Sequence, residues 1–145
     1  MVVREIIAGH LDHLRRFLQD LARYQGIALE EFLTDRDKQN MTLFALLEAI
    51  QHCLDLGNHI ISEKGWGRPQ TYRDVFLALW EHHLIDVSLR DQLVELAGFR
   101  NLLVHMYGKL DLEKVYERLQ SAPSSMKAFA KVVGELLEEE SGHQP

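Results

Sequence analysis

Arg100, Asn101, His105 and Tyr107 fall within eight residues of the run Gly98-Phe99-Arg100-Asn101-Leu102-Leu103-Val104-His105-Met106-Tyr107-Gly108, which is otherwise apolar. Burying such groups costs free energy unless they find partners or face a cleft. Histidine titrates near neutrality and can remove or deliver a proton. Arginine can hold a phosphate in a forked contact and stabilise charge that builds on it. The two together, without a metal-ligand set, suit cleavage of RNA by its own 2′-hydroxyl. The same residues also read as a structural ion-pair partner (Arg100) and a satisfied core or cap residue (His105).

On one ideal helix, at about 100° per residue, Arg100 and Tyr107 lie within about 20° of each other, and Asn101 and His105 share a neighbouring face. His105 is displaced from Arg100 by about 140°. Bringing arginine and histidine to one phosphate therefore requires a distorted helix end near Gly108, the reach of arginine, or a second copy of the helix across a two-fold axis.

Other chemistries have weaker support. There is no Walker loop, GxSxG, HExxH, paired-cysteine motif or dinucleotide fingerprint. His10 and His13 form an HxxH pair, and Glu48–His52 and Asp55–His59 are i,i+4 pairs. None has the ligand set of a bundle metal site, so no metal and no cofactor is expected. His82-His83 read as imidazoles at a helix C-terminus, where the dipole favours them. Asp55 sits beside an apolar stripe, within reach of a cleft.

The positioning elements are all helical. A chain of 145 residues with 46% hydrophobic residues suits one domain with one core. Apolar residues from Ile6 to Leu21 recur at three- and four-residue steps, and a short turn is expected at Leu29–Leu33. Asp35 is the N-cap of a helix running to Lys64, and Gly65-Trp66-Gly67-Arg68-Pro69 breaks it. Thr71 opens the next helix, with Asp74 in the capping-box position. Ser88 is expected to cap the helix that carries the run, and Gly108 to end it as a C-cap glycine. A short helix from Asp111 to Leu119, a break at Ser121-Ala122-Pro123-Ser124 and a last helix from Met126 to Leu137 follow. An acidic, polar tail is expected from about Glu138. The prediction is an all-α bundle of about five helices in a single domain, 1–145.

The lone Cys53 cannot form an internal disulfide, and neither a signal peptide nor a membrane span is evident. A cytoplasmic protein with no membrane partner is expected. The net charge of −6 argues against broad nucleic-acid binding, though not against a small basic cleft or one doubled by subunit pairing.

Arg100-Asn101-x-x-x-His105-x-Tyr107 resembles the Arg-x4-His-x-Tyr motif of HEPN domains, specifically the HepT-like toxins paired with minimal nucleotidyltransferases. The likeness runs from about Arg36 to Leu119. It includes Asp55-Leu56-Gly57-Asn58-His59-Ile60, Tyr72-Arg73-Asp74-Val75-Phe76 and Gly98-Phe99-Arg100-Asn101. The resemblance implies a HEPN-like four-helix core plus a short helix, and a homodimer with the motif lining a cleft between subunits. It also implies a metal-independent endoribonuclease toxin, with Arg100 and His105 catalytic and Asn101 supporting them. It further implies that a nucleotidyltransferase antitoxin attaches AMP to Tyr107, placing bulk and negative charge where substrate phosphate must sit. The alternative is a non-catalytic partner of that nucleotidyltransferase, binding nucleotide or substrate with the same cluster.

Overall fold

The computed structural model describes residues 2–142, except for the side chains of Val2 and Tyr107. Six α-helices follow one another: α1 (Val2–Tyr24), α2 (Leu29–Thr34), α3 (Arg36–Lys64), α4 (Tyr72–Glu81), α5 (Val87–His105) and α6 (Leu112–Gly142). A single 3-10 turn, Tyr107–Lys109, lies between the last two, and the described residues contain no strand. The all-α expectation holds. α3 is the axis of the bundle and touches each of the other five helices. Its buried residues, from Thr42 through Leu46, Ile50 and Leu54 to Ile61, occupy more than one face. A helix enclosed on several sides needs apolar residues around most of its circumference. No described helix is long and apolar enough to cross a membrane.

The helix starts follow side-chain chemistry. Asp35 accepts from the Lys38 amide at 3.1 Å, and Thr71 Oγ1 accepts from the Asp74 amide at 3.1 Å. Gly65 closes α3 in the left-handed conformation, at φ 69°. Three expectations are corrected. Asp86, not Ser88, caps α5: its carboxylate accepts from the Leu89 amide at 2.8 Å. Both are cap residues by type, and the earlier one acts because the chain arrives extended at Asp86.

Second, α5 ends at His105, with Met106 as its C-cap, so Gly108 is not the cap glycine. The chain tightens into the 3-10 turn and returns Leu110 and Leu112 to the core, which a longer α5 would prevent. Third, Pro123 does not break the chain: α6 runs through it unbroken. Proline removes the amide that would bond to the carbonyl four residues earlier. That carbonyl, of Leu119, accepts instead from Gln25 Nε2 at 3.2 Å. Val115, Leu119, Ala122, Met126, Phe129, Val133 and Leu137 then form one buried stripe. The acidic segment from Glu138 continues the helix to Gly142, and Glu140 pairs with Lys64 at 2.7 Å.

Candidate active site

Phe99 and Leu103, one turn apart on α5, are both buried. Each contributes about 1.5–3 kcal/mol by leaving water, which fixes the backbone that carries Arg100. Arg100 is half-buried and leans toward α3 and α4. Its Nε donates to Gln51 Oε1 at 3.1 Å, and Gln51 Nε2 donates in turn to Asp55 Oδ1 at 3.0 Å. The guanidinium carbon lies 4.7 Å from the centre of the Tyr72 ring. A hydrogen bond from a charged donor is worth about 1.5–3 kcal/mol and a cation–π contact about 0.5–2 kcal/mol. Arg100 is therefore oriented by two neighbours before any ligand arrives.

Tyr72 reaches this position because α3 and α4 approach closely. A Cβ added at Gly57 would stand 2.4 Å from Val75 Cγ1, so only glycine permits the crossing. Beside Arg100 lies an open cleft of about 380 Å³ lined by Asn58, Tyr72 and Asn101 among others. It shares Asn58 and Pro69 with a neighbouring hollow of about 550 Å³ that extends to Arg68. Asn101 is exposed, and Arg100 Nη1 donates to its Oδ1 over a long 3.4 Å. Arg100 thus meets Asn101 and Tyr72, two residues that line the cleft, without lining it itself.

His105 is not brought to them. It is the last residue of α5 and is exposed, and among the described residues no hydrogen bond or ion pair joins it to Arg100. Regular helix between positions 100 and 105 preserves the angular offset, so the helix end offers no distortion that would close the site. Around His105, Leu102, Val104 and Met106 are 45%, 46% and 43% exposed, an unusual apolar border for a polar residue. Because α5 ends before Tyr107, helical phase does not fix which face Tyr107 shares with Arg100. The backbone of Tyr107 opens the 3-10 turn. Its side chain, on which the AMP-acceptor reading falls, lies outside what the structure describes.

A second polar group lies where α1 packs on α3. His10 Nδ1 stands 2.9 Å from His52 Nδ1 and 3.9 Å from Asp55 Oδ2. Burial holds both imidazoles below the ordinary value of 6.5, while the Asp55 carboxylate pulls the other way. Glu48 lies 3.8 Å from His52 Nε2, as its i,i+4 spacing suggested. Asp55 turns to Gln51 and His10 instead of His59. His82 stacks on Trp66 at 4.6 Å, and its Nδ1 lies 2.9 Å from the Ala78 carbonyl, consistent with a helix-end role. Cys53 is buried and its thiol pushed far up by desolvation, which leaves it unreactive.

The profile of the ribonuclease HepT-like family matches residues 7–133, most of the chain and both clusters. The chain belongs to this family. A relative from Aphanizomenon flos-aquae, named tRNA nuclease HepT, is 27% identical over 91% of this chain and 90% of its own. Another from Shewanella oneidensis, named mRNA nuclease HepT, is 28% identical over 90% of this chain and 98% of its own. Among solved structures, a tri-AMPylated Shewanella oneidensis HEPN toxin in complex with MNT antitoxin superposes with a TM-score of 0.82. It is 28% identical and the match covers 90% of this chain and 97% of that one.

Within this HepT-like chain the two flanking motifs converge on the arginine: Tyr72 stacks on it and Asp55 holds the glutamine that it meets. Sequence reasoning missed Gln51, whose only signal was its i,i+4 spacing to Asp55. It also missed the pairing of His10 with His52, which are 42 positions apart and meet only through helix packing.

Proposed function

We propose that this chain is the endoribonuclease toxin of a two-component toxin–antitoxin system, and that Arg100 and His105 cleave RNA without a metal. The observation that carries the reading is the pre-oriented Arg100 beside a cleft lined by its neighbours Tyr72 and Asn101, in a family whose curated relatives are named RNA nucleases. With Nε engaged by Gln51, the Nη groups of Arg100 grip the scissile phosphate and stabilise its developing charge. His105 takes the proton of the RNA 2′-hydroxyl, or returns one to the departing 5′-oxygen. The 2′-oxygen bonds to phosphorus as the 5′-oxygen leaves, giving a 2′,3′-cyclic phosphate and a 5′-hydroxyl. Asn101 supports the arginine. Since one chain keeps Arg100 and His105 apart, two copies pair through the α5 border of Leu102, Val104 and Met106, and each site draws on both.

Control lies at Tyr107. A nucleotidyltransferase antitoxin attaches AMP to its hydroxyl, and the adduct blocks the cleft and repels the substrate phosphate. The relatives' names favour this nuclease reading over a non-catalytic nucleotide-binding subunit. Protein free of its partner is expected to cut RNA in EDTA. His105→Gln should keep the wild-type circular dichroism and lose roughly 100-fold or more in rate. Cleavage by His105→Gln at the wild-type rate would exclude His105 from the chemistry.

A further inference from the structure

Four histidines meet at the α1–α3 seam. His10 and His52 face each other through their Nδ1 atoms at 2.9 Å, with Asp55 Oδ2 3.9 Å from His10 Nδ1. One donor atom from each of His10, His52 and Asp55 lies within 4.8 Å of the other two. His59 stacks on His10 with ring centres 5.3 Å apart, and His13 on His52 at 5.2 Å. Two ligands on a tetrahedral ion with metal–nitrogen bonds of about 2.05 Å stand ~3.3 Å apart. The separations of 2.9 and 3.9 Å bracket that edge and the third lies within 4.8 Å, so side-chain rotation would bring the three donors to one ion. Three further features fit a ligand set. The carboxylate of Glu48 lies 3.8 Å from the far nitrogen of His52, and the second oxygen of Asp55 is held by Gln51, as outer-shell partners of metal ligands commonly are. The side chains of His10 and Asp55 remain 24% and 32% exposed, which gives an ion a way in.

We propose that His10, His52 and Asp55 bind one divalent transition cation of the zinc class, with His59 or water completing the shell. Two imidazoles and one carboxylate select such an ion over magnesium or calcium, which prefer all-oxygen sites. The ion would pin α1 to α3. Its carboxylate ligand is one glutamine away from Arg100, but it does not reach the phosphate, so metal binding and EDTA-resistant cleavage are compatible and separately measured.

The test is a calorimetric titration of tag-free, EDTA-stripped and dialysed protein with zinc chloride, with cobalt absorption as a spectroscopic check. The expected result is one ion per chain, a cobalt spectrum of nitrogen and oxygen ligands, and a higher Tm with zinc. His52→Gln and Asp55→Asn should each weaken binding by about tenfold or more. The double variant His82→Gln/His83→Gln should bind as wild type. Since His52 also stacks on Phe17 at 5.8 Å, Asp55→Asn with an unchanged metal-free melting curve decides if His52→Gln misfolds. Undiminished binding by Asp55→Asn, or no zinc binding by wild type at micromolar concentration, overturns the proposal.

Discussion

Arg100 is already engaged within the fold, its Nε by a glutamine side chain and its guanidinium face by an aromatic ring. Its torsional freedom is lost on folding and not when substrate binds. Gln51 is accordingly a positioning residue. Gln51→Ala is expected to lower kcat/KM for RNA by about tenfold, the loss of roughly one charged hydrogen bond. The effect should appear mainly in KM, with the shape of the pH–rate profile unchanged because His105 is untouched. Arg100→Lys should be far more damaging, since a lysine cannot reproduce the planar fork or the stack. A kcat/KM for Gln51→Ala within twofold of wild type would show that the glutamine does not orient the arginine. The arginine itself was visible in the sequence through its spacing to histidine and tyrosine. Its anchors were not, because Gln51 and Tyr72 meet it only through the packing of α3, α4 and α5.

Helices were legible where one side chain decides an end. Asp35 and Thr71 cap where their types predict, and Gly65 closes α3. Legibility failed where a distant residue decides. Pro123 reads as a break until Gln25, from the α1–α2 connection, supplies the hydrogen bond that proline cannot. The substitution Gln25→Ala should cost about 1 kcal/mol in urea unfolding, because the Leu119 carbonyl loses its donor. In a Pro123→Ala background the same substitution should cost less, since the alanine amide can serve that carbonyl. A double-mutant cycle measures the difference. Equal penalties in both backgrounds would detach Gln25 from the proline. The end of α5 failed for a similar reason: the core requirement of Leu110 and Leu112 is absent from any local pattern around Gly108.

For the whole molecule, the angular offset between Arg100 and His105 was readable before any fold was known, and the regular helix between them preserves it. A site shared between two copies predicts complementation. Arg100→Ala and His105→Ala proteins, each inactive alone, should regain about a quarter of wild-type activity when subunits are allowed to exchange, because half the dimers are mixed and each carries one intact site. No recovery, despite verified exchange, would place arginine and histidine in the same chain's site. Arg100 and His105 also stand on unequal footing. Arg100 is braced by α3 and α4, whereas His105 terminates its helix among exposed apolar residues, two positions before Tyr107. A cell that must store such an enzyme harmlessly has no need to unfold it or to dismantle its arginine clamp. In the proposed mechanism, obstructing a handful of residues at the end of one helix would be sufficient, and removing the obstruction would return a nuclease whose Arg100 was oriented from the start.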